Sequence, residues 1–246
     1  MTLSHPKHGK RAFADFGLSR FFSWALFLIG CLCFLGGSAY ADDRLEARQL
    51  VERSKLTFER FMAAGEMGAF RSLLKSAQGV FIAPQVLKGA FIFGASGGSG
   101  VFLARNREGK WTGPAFYTLG EGSFGLQIGG EASEIVLLVM TQRGVTALLS
   151  DSVKLGVDIG VAVGPVGVGA DASTANLSAD IITFSKSKGL YGGISLEGAV
   201  VLTRGDWNSA YYGRSVKPTD ILVRRSVSSP HAESLINAVA KAVARR

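Results

Sequence analysis

Between Val80 and Arg204 the chain is written in short runs of Val, Ile, Phe and Gly, broken every few residues by turn formers. Such runs are too brief for helices and rich in β-branched and aromatic side chains, so the region reads as a sheet with helices at its flanks. Strands are expected near 79–83, 88–95, 99–105, 114–118, 122–130, 134–140, 156–164, 178–185, 189–197 and 198–203, with one helix, 141–151, among them. In "GVDIGVAVG" alternation is strict: Val157, Ile159, Val161 and Val163 share one face, and Asp158, Gly160, Ala162 and Gly164 the other.

Helical periodicity brackets this region. Residues 43–63 gather Ala47, Leu50, Val51, Ser54, Phe58, Phe61 and Met62 on one stripe, flanked by Arg48, Arg53, Lys55 and Arg60, with Glu52 and Glu59 opposite. "MGAFRSLLKSA" follows with Phe70, Leu73 and Leu74 as its stripe. Residues 207–213 read as a short helix, and "SSPHAESLINAVAKAVARR" as a capped one with Ser229 at the N-cap and Pro230 at the first helical position. The fold class is therefore α+β: an antiparallel sheet or partly closed β-barrel with N-terminal and C-terminal helices packed on it.

The glycine-rich "FGASGGSGVF" (93–102) raises the question of a phosphate-binding loop. A dinucleotide fingerprint needs G-x-G-x-x-G opening a helix, whose N-terminus holds the pyrophosphate. Here glycines 94, 97, 98 and 100 miss that spacing, "VFLAR" continues as a strand, and no G-x-x-x-x-G-K-[ST] occurs, so no nucleotide is expected. The stretch reads as a flexible connection between two strands or, failing that, a place where a ligand approaches the backbone closely.

The first 41 residues look like a leader. Lys7, Lys10, Arg11 and Arg20 outnumber Asp15, "FFSWALFLIGCLCFL" runs uncharged from Phe21 to Leu35, and Ala39-Tyr40-Ala41 is a small-x-small cleavage site. The expected organisation is a signal peptide, 1–41, and a single domain, 42–246, exported to the periplasm. "LIGC" (28–31) offers the other reading, a lipoprotein signal ending at residue 30 with Cys31 acylated and the protein held at the outer membrane. Cleavage after Ala41 removes Cys31, Cys33, His5 and His8 and leaves His231 as the sole histidine. That excludes disulfides, thiolate catalysis and cysteine-ligated metal, and neither metal nor cofactor is expected. From Arg204 onward eight Lys and Arg face three acids within an overall formal charge of +8. In an exported protein a basic region suits anionic lipid or polysaccharide better than nucleic acid.

The order of motifs carries a family resemblance. "AQGVFIAPQVLKGAFIFGASGGSGVFLAR", "GKWTGPAFYTLGEGSFGLQIGGEASEIVLLVM", "LGVDIGVAVGPVG", "ITFSKSKGLYGGISLEGAVV" and "NSAYYG" succeed one another as in the SYLF domain, which this chain resembles over about residues 44–243. The resemblance implies a non-enzymatic lipid-binding module of bacterial, exported type, with an anionic phospholipid membrane as partner. In eukaryotic members an amphipathic basic segment opens the domain and binds phosphoinositides, and some members bind actin. That segment matches residues 44–61 and implies Arg44, Arg48, Arg53, Lys55 and Arg60 as lipid contacts; the amphipathicity of the helix adds Phe58 on an apolar face that either enters a membrane interface or is buried on the sheet. Glu46, Glu52 and Glu59, interleaved among them, depart from a purely basic pattern. Two other readings stand beside this one. One is an assembly protein that binds an envelope protein through Trp111, Trp207, Tyr211 and Tyr212. The other is an envelope hydrolase using Glu121, Glu131, Asp158 and Glu197, although no G-x-S-x-G elbow is present.

Overall fold

In the sequence 79–139, runs such as "GVFIA" and "EIVLLV" are apolar at consecutive positions, which requires strands covered on both faces. The computed structural model meets that requirement. It describes residues 42–244 other than 91–93, 107, 124–130 and 169–177, with backbone alone at 88–90, 94–96, 121–123 and 131. Helices α1 (42–63) and α2 (Gly68–Leu74) precede four long strands: β1 (Gly79–Ala90), β2 (Gly94–Arg105), β3 (Trp111–Ser123) and β4 (Glu131–Val139). Then come α3 (Gln142–Ala147), β5 (Ser152–Lys154), β6 (Val161–Val163), β7 (Ile181–Ser187), β8 (Leu190–Gly192), β9 (Val200–Thr203), α4 (Gly205–Tyr212) and α5 (Glu233–Ala244).

The strands form one curled, nine-stranded mixed sheet in the order β5-β9-β3-β2-β1-β4-β7-β6, with β8 also paired to β7. All pairs are antiparallel except β6 with β7. Strands β1, β2, β3, β4 and β7 divide their side chains between two cores. Val80, Ile82, Val136, Leu138, Ile182 and Phe184 face the helices α1, α2, α4 and α5. Phe81, Ala83, Ile135, Leu137, Val139 and Ile181 face the opposite core, roofed by Val145 and Leu148 beside α3 and by Val216, Ile221 and Leu222. Asp43–Arg246 is a compact unit, and both cores are built from its residues alone.

The central strands are longer than their sequence pattern suggested. "GASGGSG" is not a connection but the first half of β2, and β1 runs unbroken from Gly79 to Ala90 over a bulge between Ala83 and Val86. Residues 91–93 of the expected strand 88–95 lie outside the described residues. The glycines serve close approach rather than flexibility: a Cβ on Gly98 would lie 2.1 Å from the Gln85 carbonyl oxygen in the bulge, and one on Gly100 would lie 2.4 Å from the Phe81 ring. "GVDIGVAVG" is corrected more sharply. Gly156 to Asp158 form a turn, only Val161–Val163 are a strand, and Val157 and Val163 are exposed while Ile159 is buried. The alternation there reflects a turn followed by a parallel edge strand, not one greasy face.

Local chemistry sets the remaining boundaries. Helix α3 ends at Ala147 because Leu149 and Ser150 donate to carbonyls three residues back, tightening the last turn. Ser229 supplies no side-chain cap; its carbonyl accepts from Ala232 and opens a 3-10 turn, Pro230–Ala232, that leads into α5.

Candidate functional site

Helix α1 is fixed to the domain by the apolar stripe read in its sequence. Ala47, Leu50, Val51, Phe58 and Phe61 are buried, and Phe70 receives Phe58 and Phe61 edge-on at 6.3 and 5.8 Å before meeting Phe184 at 5.2 Å. Phe58, a candidate lipid contact in the sequence, is thus 1% exposed and belongs to the core. Polar ties hold both ends of the helix. The Trp207 indole donates to Asp43 at 3.1 Å, Tyr191 donates its hydroxyl to the Arg60 carbonyl at 3.1 Å, and Glu52 meets His231 Nε2 at 3.1 Å.

The five candidate cations separate into two groups. Lys55 pairs with Glu59 at 3.3 Å, and Arg60 pairs with Glu134 while also donating to Thr57 at 3.0 Å. Arg44, Arg48 and Arg53 are exposed and have no ion pair among the described residues. At 100° per residue Arg44 and Arg48 lie on one flank of the outward face and Arg53 on the other. The crest between these flanks carries Leu45 and Leu56, 55% and 52% exposed, three turns or about 16 Å apart. The outward face thus sets two leucines between Arg44 and Arg48 on one side and Arg53 on the other, with exposed Glu46 on the Arg53 side and Glu52 turned to His231.

Beside Arg53, an open groove of about 340 Å³ runs between α1 and the bulged end of β1, reaching Glu134 on β4 and Lys186 and Lys188 on β7 and its turn. Lys186 holds its ammonium 5.1 Å from the Tyr191 ring centre. A second recess continues past Arg53 and Gln85 to Arg204, whose guanidinium stacks 3.6 Å from the Trp207 ring and donates to Ser99 at 3.2 Å. Sequence reasoning missed Lys186 and Lys188 as site residues. Their signal was visible, since lysines two apart at the end of an apolar strand, followed by Gly189, mark a cationic hairpin tip.

The other sequence candidates do not come together. Trp111, Trp207 and Tyr211 are buried, and Tyr212 donates to the Pro114 carbonyl at 2.8 Å, so these aromatics are not an exposed hot spot. Burial pushes the Tyr211 and Tyr212 hydroxyls above their ordinary pKa. Asp158 accepts from the Lys154 amide at 2.7 Å and shapes a turn, Glu197 is an exposed turn residue, and the side chains of Glu121 and Glu131 lie outside the described residues. No group of three or more metal-ligating side chains occurs among the described residues, nor does any helix long and apolar enough to cross a membrane.

Among the described residues the one deeply engaged carboxylate, Asp180, is structural. Asp180 accepts from Thr141, from the Arg143 guanidinium and, at 3.2 Å, from the Gly160 amide, tying α3 to the segment before β6. The Arg143 hydrogen bond, helped by Thr141 and Gly160, outweighs desolvation and holds the Asp180 carboxyl below the usual carboxylate range.

Comparison with known proteins places relatives beside this geometry. The profile of the Ysc84 family, described as "Las17-binding protein actin regulator", matches residues 120–242. The human "SH3 domain-containing YSC84-like protein 1" is 34% identical over 165 residues, 66% of this chain and 48% of its own length. "Protein YSC84" of Saccharomyces cerevisiae is 34% identical over 169 residues, 67% of this chain and 36% of its own. "LAS seventeen-binding protein 3" of the same yeast is 32% identical over 167 residues, 66% of this chain and 36% of its own. The chain thus spans about half, or less, of the length of these relatives. No solved structure matches.

Proposed function

This chain belongs to the Ysc84 family, the family of the SYLF domain, and on that premise we propose that it binds an anionic phospholipid surface without catalysing a reaction. The observation that supports this reading is the outward face of α1, where exposed Leu45 and Leu56 stand between the unpaired cations Arg44, Arg48 and Arg53. A rigidly docked helix of this kind lies flat on a membrane, its leucines entering the headgroup boundary and its arginines meeting lipid phosphates. Each cation near such a surface contributes about 1 kcal/mol, so three give useful, salt-sensitive attachment. The basic, apolar leader pattern of residues 1–41 supports an exported protein working at a bacterial envelope membrane, and Cys31 remains the candidate lipid anchor.

Reversing Arg44 and Arg48 together to Glu tests the reading. Both are exposed, so the melting curve should stay in place while affinity for phosphatidylglycerol vesicles falls more than tenfold. Unchanged affinity removes α1 from the contact. A protein partner on the same surface is the second reading, favoured by the Las17-binding description of the family and the name of one yeast relative.

A further inference from the structure

The hairpin joining β7 and β8 carries an unusual turn. Ser187 pairs with Leu190, so the loop is two residues long, and both of its residues are left-handed, Lys188 at φ 48° and Gly189 at φ 82°. That is the type I′ geometry, whose first position favours Asn, Asp or Gly because a Cβ strains there. Lysine therefore occupies a place that local conformation alone would give to another residue. What it gains is position: Lys188 borders the groove beside α1 together with Lys186 and Arg53, while Arg60 in the same groove is already neutralised by Glu134. Next to this cluster the hairpin exposes Leu190 to 76% of its surface, and α1 exposes Leu56 at the groove's other wall.

We propose that Arg53, Lys186 and Lys188 form a seat for the phosphate of an anionic lipid headgroup, with Leu190 entering the bilayer beside it. The proposal rests on the membrane-surface reading and adds a second point of contact to α1. Within the groove the one carboxylate among the described residues, Glu134, is taken by Arg60, so the three cations complement a phosphate, and the flanking leucines select a phosphate carried by a membrane over one free in solution.

Asp43–Arg246 contains no cysteine, which makes the test direct. Lys188→Asn restores the residue the turn prefers, so the variant should melt at or above the parent temperature. Its affinity for phosphatidylglycerol vesicles should nevertheless fall about fivefold, the worth of one cation at such a surface. Leu190→Cys carrying an environment-sensitive dye should brighten and shift to the blue on adding those vesicles. Glycerol phosphate in solution should displace the protein no better than sodium chloride of equal ionic strength. Parental affinity in Lys188→Asn, or a dye that reports water while the protein is vesicle-bound, overturns the hairpin seat and leaves the α1 reading standing. Displacement by glycerol phosphate beyond the salt control overturns the membrane as source of the phosphate. Failure of the parent protein to bind any anionic vesicle overturns both.

Discussion

Replacing Asn208 with Ala should destabilise the domain by about 1.5–5.5 kcal/mol, because this side chain acts as a missing strand. Pairing of β3 with β9 covers Tyr117 to Gly120 and stops short of Phe116. Asn208, fully buried on α4, continues it: its Oδ1 accepts from the Phe116 amide at 3.0 Å, and its Nδ2 donates to the Phe116 and Arg204 carbonyls at 3.4 and 2.9 Å. Both carbonyls keep a backbone partner, from Arg204 N–H and Asn208 N–H, so each loses about 0.5–1.5 kcal/mol. The Phe116 amide keeps none on that side, and an orphaned buried donor costs about 1–3 kcal/mol. Better helix propensity returns about 0.5 kcal/mol. Urea unfolding of Asp43–Arg246 followed by far-ultraviolet circular dichroism would read the difference through the midpoint at constant slope. A loss below about 0.5 kcal/mol would show that water reaches the Phe116 amide, refuting the strand-substitute role.

Three further outcomes follow from the packing. Gly98→Ala should lower the melting temperature, since its Cβ meets backbone on both Gln85 and Val86 and overpacking of this kind costs about 1–3 kcal/mol; an unchanged melt would mean the β1 bulge is not pressed on β2. Ser54→Ala should raise stability by about 1 kcal/mol in the same unfolding assay, because the Ser54 hydroxyl is the one buried side-chain polar atom without a partner among the described residues; a loss would reveal a bond that the serine makes. Asp180, whose pKa is lowered from 3.8 in the folded protein, contributes stability that is fully present above its unfolded value and is lost as pH falls through its folded value. Unfolding across that acid range should therefore be less steep with pH in Asp180→Asn, and an identical slope in both proteins would contradict the assignment.

The helices were legible because a 3.6-residue stripe survives whatever the helix packs on, and α1, α2 and α5 lie where their stripes put them. The sheet was legible as a class, from Val- and Phe-rich runs, but not in its registers. The gap left between the expected strands 79–83 and 88–95, and the break read at the glycines of β2, have a tertiary meaning: the bulge at Pro84–Gln85 sits on Gly98, and the Phe81 ring on Gly100. The site shows the same division. The cations of α1 were visible in the sequence, whereas the separation of paired Lys55 and Arg60 from open Arg44, Arg48 and Arg53 depends on Glu59 and on Glu134, far away in the chain. Phe58 was drawn toward lipid by amphipathicity alone, which cannot say whether a greasy stripe meets a membrane or a sheet. Lys186 and Lys188 joined the surface only once β7 was laid beside α1.

Attachment to anionic lipid would be measured by co-sedimentation of Asp43–Arg246 with phosphatidylcholine, phosphatidylglycerol and cardiolipin vesicles at low and high salt. The protein should bind the two anionic compositions alone, less as salt rises because Arg44, Arg48 and Arg53 face solvent. Equal binding to neutral vesicles, or none to any, would contradict the anionic-lipid reading and turn attention to a protein partner on the same face.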